Sequence, residues 1–332
     1  MKIVRNTAYA LAALALASCS DIDDLQPQGG TILAEQVKEI NAILPQRADA
    51  TFSGMYVKLG QPLSLNSFSS ARPDDFAFIM MAFSNDLEGA DIVIADSGYN
   101  WFSMCGALTS RNADYANPYI RYATAYNEIA LANTVITSYN IDENTAKEVL
   151  YNVAQARAVR AFSYLNLAPY YQFNYQVAKD KPCVPIVTEN TTDFTNNPRA
   201  TVEEVYNLIV EDLTYAIDNL EGYQRPDKSK IDQKVAYGLR ARAYLDMGEW
   251  AKAASDAAKA ADGYVPASME EVSTPSFYNI ADHNWLWGYD MTVDQAQREE
   301  AATSSAWIRS LSGNSYSAAC QVYSRCNTLL YN

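Results

Sequence analysis

Flat aromatic rings lie beside Asp, Asn or Arg in three stretches outside the predicted helices. A sugar presents apolar C–H faces and a rim of hydroxyl groups, so aromatic platforms with polar neighbours suit its recognition. The candidate residues are Arg72, Asp74 and Asp75, then Tyr99, Asn100 and Trp101, then Trp285, Trp287 and Tyr289, with Trp307 in a separate polar stretch. Because side chains alternate along an extended chain, we expect Trp285, Trp287 and Tyr289 to share one face.

The same residue types have a structural alternative. Trp and Tyr bury large areas and more often form the core than a ligand platform. Packing is predicted outright for four residues within the helical pattern, Tyr164, Tyr237, Tyr244 and Trp250. The single histidine, His283, follows Asp282 and is predicted to form a loop hydrogen bond rather than to act as a ligand or base.

Charge and residue counts exclude several chemistries. The 332 residues include 39 acidic and 25 basic side chains, a formal net charge of -14, which argues against sequence-independent binding of nucleic acid. One histidine removes most zinc sites and Ser-His-Asp arrangements, and no cofactor or metal is predicted. Four cysteines lack CxxC spacing and are interpreted as buried small hydrophobes with their pairing open: Cys105, Cys183, Cys320 and Cys326.

The N-terminus has the pattern of an export signal. Basic Lys2 and Arg5 precede an apolar run over residues 8–17, which is too short to span a bilayer. The run ends in Leu-Ala-Ser-Cys at Cys19, the lipobox pattern in which the cysteine is lipidated and becomes the mature N-terminus. The alternative is an ordinary signal peptide that contains a cysteine. We predict a signal peptide over 1–18 and an acidic flexible tether over 19–30, which leaves a mature net charge of 23 - 39 = -16.

Helical periodicity dominates the rest of the chain, and almost no stretch alternates with period two. The pattern predicts helix pairs at about 120–171, 201–220 and 233–262. Two capping boxes are predicted, at Thr145 with Glu148 and at Thr201 with Glu204. The sequence therefore predicts a single, mostly α domain over 31–332.

Two of the helices repeat each other. Residues 160–167 reappear eighty positions later as residues 240–247, and the second copy fits the tetratricopeptide template, with Arg240 where that template expects leucine. The partner helix of the first copy is predicted to be displaced by an insertion over 172–200. The predicted fold class is thus tetratricopeptide-like helical repeats with long loop-rich insertions.

The order of these motifs resembles the SusD/RagB-like family of nutrient-binding outer-membrane lipoproteins. The resemblance covers essentially the whole chain: a lipobox with an acidic tail, then the stretches 126–133, 154–164, 185–188, 199–217 and 236–260. Residues 20–24 also resemble the acidic export signal that sends lipoproteins of the Bacteroidetes to the cell surface, although a solvated tether has the same composition. Family members are usually longer, so the resemblance implies either a truncated product or a short member.

The resemblance implies a protein that captures oligosaccharide, or in some cases peptide, above a TonB-dependent SusC-type transporter, without catalysis. By approximate position, residues 72–75 and 99–102 resemble the N-terminal stretches where family members place binding residues. The repeat surface is generally the transporter-facing side. An alternative is a surface glycoside hydrolase, for which Asp74, Asp75 and Asp290 are the carboxylates in aromatic surroundings.

Overall fold

The computed structural model describes residues 34–44, 46–59, 77–89, 105, 107–114, 116–139, 141–273 and 280–288. The chain divides into two units, Met1–Pro45 and Gln46–Asn332. The described part of the first unit is one helix, α1 (Ala34–Ile43). The predicted signal peptide, tether and lipidated Cys19 lie outside the described residues.

The described part of the second unit is mostly helical, as predicted. Its helices are α2 (Gln46–Lys58), α3 (Ala77–Glu88), α4 (Ala116–Ser138), α5 (Lys147–Tyr171), α6 (Tyr175–Ala178), α7 (Val202–Asn219), α8 (Gln233–Asp246), α9 (Trp250–Ala261) and α10 (Met269–Ser273), with a 3₁₀ turn at Thr109–Arg111. No helix in the described part of the chain has the length and apolarity that crossing a membrane requires.

The long helices stack in chain order. Helix α4 packs on α5, α5 on α7, α7 on α8 and α8 on α9, while α2 and α3 pack on α4. Helix α5 lies at the centre, and its buried residues surround most of the helix, from Val153 to Ala168. Five of them are alanines, which let the neighbouring helices approach closely.

The predicted insertion separates α5 from its partner, as expected. Between them lie α6 and a short antiparallel pair of strands, β1 (Pro182–Pro185) and β2 (Arg199–Thr201), with Pro182 opposite Thr201. Strand β2 runs directly into α7. The sequence similarity between residues 160–167 and 240–247 therefore reflects two helix pairs, α5 with α7 and α8 with α9.

One predicted capping box forms and the other does not. The Thr201 side chain accepts a hydrogen bond from the Glu204 backbone, and the Glu204 carboxylate accepts one from the Thr201 backbone. Helix α5, by contrast, begins at Lys147 after an Ala146 cap that makes no side-chain hydrogen bond. The prediction at Thr145 is wrong, because its hydroxyl accepts the Asp142 backbone N–H at 2.7 Å and closes a turn instead.

Arg240 departs from the repeat template for a structural reason. The guanidinium lies between three helices: Nε and Nη2 donate to Asp256 of α9 at 2.6 and 3.1 Å, and Nη1 donates to the Thr214 hydroxyl of α7 at 2.9 Å. Arg160 of α5 repeats this geometry with Asp212 of α7 and Asn133 of α4. Each repeat is therefore joined to its neighbours by one arginine, which is buried at Arg160 and partly buried at Arg240.

Candidate functional site

Most of the predicted site residues lie outside the described part of the chain. These are Arg72, Asp74, Asp75, Tyr99, Asn100, Trp101, Tyr289 and Trp307, and their role stays a prediction. The structure describes Trp285 and Trp287, which follow α10 in the segment 280–288. This segment lies along helices α8 and α9, beside two concave surfaces.

The larger surface, here called the α8–α9 groove, has a volume of about 730 Å³. Its floor is formed by small side chains, Gly238 of α8 and a run of alanines on α9 that includes Ala253 and Ala257. Trp250 lies at the start of α9 and Tyr264 lies just past its end. Since twelve helical residues rise about 18 Å, the groove carries one aromatic residue toward each end.

Packing was the predicted role of Trp250, and that prediction is wrong. Its side chain is 66 % exposed and lines the groove, because α9 packs on α8 through its alanines and Trp250 lies at the helix start beyond them. Tyr164 is fully buried as predicted, whereas Tyr237 and Tyr244 are half-buried on α8. The repeat template alone could not distinguish these positions.

The segment 280–288 forms turns and bends rather than the predicted extended chain. The Trp285 backbone N–H donates to the Asp282 carbonyl at 3.1 Å, and the Trp285 ring folds back over the Gly288 backbone. A Cβ added at Gly288 would lie 2.0 Å from the Trp285 ring, so this approach needs glycine. The predicted extended conformation is therefore wrong for Trp285 and Trp287, although the two residues do line one common surface.

Trp287 is anchored to the core. Its ring meets Phe162 of α5 edge to face, with centroids 4.9 Å apart, and its indole N–H donates to the Ser229 carbonyl at 3.0 Å. The neighbouring Gly288 N–H donates to the Lys228 carbonyl at 3.1 Å. The same ring and Trp285 line a second surface of about 440 Å³. Trp287 therefore packs against the core and also forms part of this surface.

Few polar side chains line these two surfaces. Arg242 and Asn284 line both of them, and Arg242 is the one permanently charged residue in their described lining. His283 lines the larger groove and, as predicted, forms a loop contact, with Nδ1 2.9 Å from a Glu271 carboxylate oxygen. The sequence reasoning missed Arg242 and Tyr264, although the alanine spacing of α9 signals a face of small residues.

This arrangement suits a ligand with apolar faces and hydroxyl groups. The rings of four residues supply flat surfaces: Trp250, Tyr264, Trp285 and Trp287. Arg242 and Asn284 supply hydrogen-bond donors. The described lining contains neither Asp nor Glu. Within the residues that the structure describes, these surfaces can therefore bind, but they offer no pair of carboxylates for acid–base chemistry.

The cysteines that the structure describes are buried thiols. Neither Cys105 nor Cys183 forms a disulfide within the described part of the chain, and both side chains are fully enclosed. Burial raises the pKa of the Cys183 thiol to about 11, which keeps it protonated at neutral pH. The prediction of small buried hydrophobes is confirmed for these two, and Cys320 and Cys326 lie outside the described residues.

Comparison with known proteins identifies the fold and its relatives. A model of SusD-like proteins, described as starch-binding and associating with the outer membrane, matches residues 78–245. A SusD-like protein of Bacteroides ovatus is 28 % identical over 131 residues, 38 % of this chain and 22 % of the relative.

Solved structures extend the likeness to the three-dimensional fold. A SusD-like carbohydrate-binding protein of Bacteroides vulgatus matches with a TM-score of 0.66 and 27 % identity, over 75 % of this chain and 51 % of its own. A SusD superfamily protein of Bacteroides thetaiotaomicron matches with a TM-score of 0.58 and 24 % identity, over 75 % and 53 %. The chain spans about half the length of these solved relatives.

Proposed function

Because the chain belongs to the SusD-like family of starch-binding proteins that associate with the outer membrane, we propose that it binds a glycan at the bacterial surface and delivers it to a SusC-type TonB-dependent transporter. The observation that carries the proposal is the family match over residues 78–245. The Bacteroides vulgatus relative, which is described as carbohydrate-binding, supports the same substrate class.

The contacts of the described residues are compatible with this role. Trp250, Trp285 and Trp287 supply aromatic surfaces, and Arg242 and Asn284 line both of these surfaces. Sugars bind such surfaces through C–H contacts with the rings and hydrogen bonds at the rim. In this proposal residues 72–75 and 99–102, together with Tyr289 and Trp307, contribute further parts of the glycan site.

A glycan array tests the proposal directly. The chain from Ser20 onward is expected to bind one or more oligosaccharides, because aromatic platforms and polar neighbours recur in three stretches. Trp101→Ala is expected to weaken binding at least tenfold, whereas Glu211→Ala, an exposed change on α7, is expected to leave it unchanged. Equal affinity of Trp101→Ala and the unmodified chain would refute that site assignment.

The same protein distinguishes binding from hydrolysis. Incubation with each bound glycan is expected to release no reducing ends. Release of reducing ends by the unmodified chain, lost in Asp74→Asn or Asp75→Asn, would replace the binding proposal with the hydrolase alternative. Binding of peptides and no glycan would keep the delivery role and change the substrate class.

The membrane anchor is a separate prediction. We propose that Cys19 carries the lipid, since a single acyl chain binds only marginally and several chains on one cysteine hold a protein stably. Cys19→Ala is therefore expected to move the protein from the membrane fraction to the soluble fraction, whereas Ser20→Ala is expected to leave it in the membrane fraction. Unchanged fractionation of Cys19→Ala would contradict the anchor.

A further inference from the structure

A small cavity with four polar side chains in its lining lies at the junction of α4 and α5, away from both grooves. Thr124 and Glu128 line it from α4, one helical turn apart, and Ser163 and Asn166 line it from α5. Its volume is about 20 Å³. A cavity needs roughly 10–15 Å³ on this measure to hold a water molecule, so this cavity has room for one.

Two of the polar groups in this cavity have no hydrogen-bond partner among the residues that the structure describes. Glu128 is 4 % exposed and Thr124 is 8 % exposed, yet neither Glu128 Oε2 nor Thr124 Oγ1 forms a hydrogen bond within the described part of the chain. A buried polar group without a hydrogen bond costs about 1–3 kcal/mol, so native proteins rarely leave one in this state. The two residues that carry these atoms line one cavity, so a single partner there can serve both atoms.

The other two polar groups leave acceptors available. Asn166 Nδ2 donates to the Phe162 carbonyl at 2.6 Å, which leaves its amide oxygen to accept. The Ser163 hydroxyl donates to the Val159 carbonyl at 3.0 Å, which leaves a lone pair on its oxygen. A buried water usually makes two to four hydrogen bonds, and four polar side chains line this cavity.

We propose that this cavity is an internal hydration site, in which one water molecule bridges the protonated Glu128 carboxyl group and the Thr124 hydroxyl. The proton on Glu128 lets the carboxyl group both donate to the water and accept from it. This inference is independent of the proposed function.

The charges around Glu128 agree with a protonated carboxyl group. Burial raises the pKa of Glu128 to about 8, and the field of Lys58 on α2 lowers it only in part. The other described lining residues carry no charge: α5 presents Phe162, Ser163 and Asn166, and α3 presents Met81. The proposed hydration site therefore includes a carboxyl group, that of Glu128, which carries a proton in the folded chain at neutral pH.

The sign of the coupling follows from the raised pKa. The folded chain keeps a proton on Glu128 up to about pH 8, whereas the unfolded chain releases it near the ordinary value of 4.5. Stability from this group is therefore greatest below pH 4.5 and is lost as pH rises to about 8. We expect the Tm to fall by roughly 5 °C or more from pH 5 to pH 8 through this group.

Thermal unfolding of the full chain across pH 5–9 tests the proton. Glu128→Gln is neutral at every pH, so it is expected to remove this part of the pH dependence and to have the higher Tm at pH 8. Glu211→Gln, an exposed match on α7, is expected to keep the original profile. If Glu128→Gln and Glu211→Gln give the same profile as the unmodified chain, the proton linkage is absent.

The water itself is tested by a second pair of variants and by crystallography. Thr124→Ser keeps the hydroxyl and is expected to retain the water, whereas Thr124→Val is expected to lose it and to have a lower Tm than Thr124→Ser. A high-resolution crystal structure of the unmodified chain at pH 6 is expected to show one water between Glu128 and Thr124. An empty cavity would overturn the proposal. A Tm that rises with sodium but not with choline in the unmodified chain, and does not rise in Glu128→Gln, would also overturn it, because that pattern indicates a sodium ion in place of the water.

Discussion

Arg160→Ala is expected to lower the free energy of unfolding by about 3–5 kcal/mol, the cost of removing one partner from a buried ion pair. The Arg160 side chain is 2 % exposed and that of Asp212 is 0 % exposed. Arg160 Nε and Nη2 donate to the two Asp212 carboxylate oxygens at 2.7 and 2.8 Å, and Arg160 Nη1 also contacts Glu189. The variant would leave the Asp212 and Glu189 carboxylates without the guanidinium charge that offsets their negative charges.

A second arginine is nearby but cannot replace Arg160. Arg157 Nη1 lies 3.5 Å from Asp212 and Nη2 lies 3.6 Å from Glu189, both beyond good hydrogen-bond distance, while its guanidinium stacks 4.2 Å from the Tyr215 ring. Burial raises the pKa of Glu189, but Arg160 and then Arg157 lower it below its ordinary value overall. Without Arg160 we expect much of that lowering to be lost.

The repeat supplies the matched control. Arg240→Ala removes the same geometry from the next helix pair, but Arg240 is more exposed, at 14 % of its side chain, so water can partly solvate the Asp256 left behind. We expect a smaller loss for Arg240→Ala, about 1–3 kcal/mol. Urea unfolding monitored by circular dichroism measures both variants. A loss below about 1 kcal/mol for Arg160→Ala would show that the ion pair contributes little.

The two arginines also show what sequence reasoning could reach. The similarity of residues 160–167 and 240–247 was visible, and it predicted two helix pairs correctly. The partners were not visible, because Asp256 lies 16 residues after Arg240 whereas Asp212 lies 52 residues after Arg160. The insertion that separates α5 from α7 removes the constant spacing on which a repeat search depends.

Helix boundaries were predictable where local hydrogen bonds decide them. The Thr201 and Glu204 box forms because β2 delivers an extended Thr201 directly to the start of α7. The Thr145 and Glu148 pair has the same spacing, but Asp142 offers a competing turn three residues earlier. The spacing of two side chains therefore indicates a cap only where the preceding backbone is free to extend.

The candidate site was less predictable, for two physical reasons. Residue type does not distinguish an exposed aromatic residue from a buried one: Trp250 is on the surface, although the template assigns it to packing. Strand-like alternation also failed over 280–288, because Gly288 lets the chain turn under the Trp285 ring. Arg242 faces both surfaces only after α8 has packed on α9, and a linear pattern does not contain that information.

The effect of Trp287 on stability must be known before its effect on binding is interpreted. Trp287→Ala is expected to lower the free energy of unfolding by about 2–4 kcal/mol, because it removes a large ring from a partly buried contact. The variant loses the edge-to-face contact with Phe162 and leaves the Ser229 carbonyl without its indole donor. The measurement is urea unfolding, as for the arginines.

Trp250→Ala is the matched control on the neighbouring surface. Its side chain is 66 % exposed, so we expect a change within about 0.5 kcal/mol. The contrast separates a ring that supports the fold from a ring available to a ligand. Equal stability of Trp287→Ala and the unmodified chain would show that the ring does not pack on Phe162 as described.

Trp287→Phe then separates support from recognition. Phenylalanine keeps an aromatic face toward Phe162 and loses only the indole donor and part of the ring, so we expect a stability loss of about 1–2 kcal/mol. If glycan affinity falls for Trp287→Ala but not for Trp287→Phe, Trp287 acts by holding the segment 280–288 in place. If affinity falls in both variants while the protein stays folded, the indole itself contacts the sugar, because the remaining packing is intact.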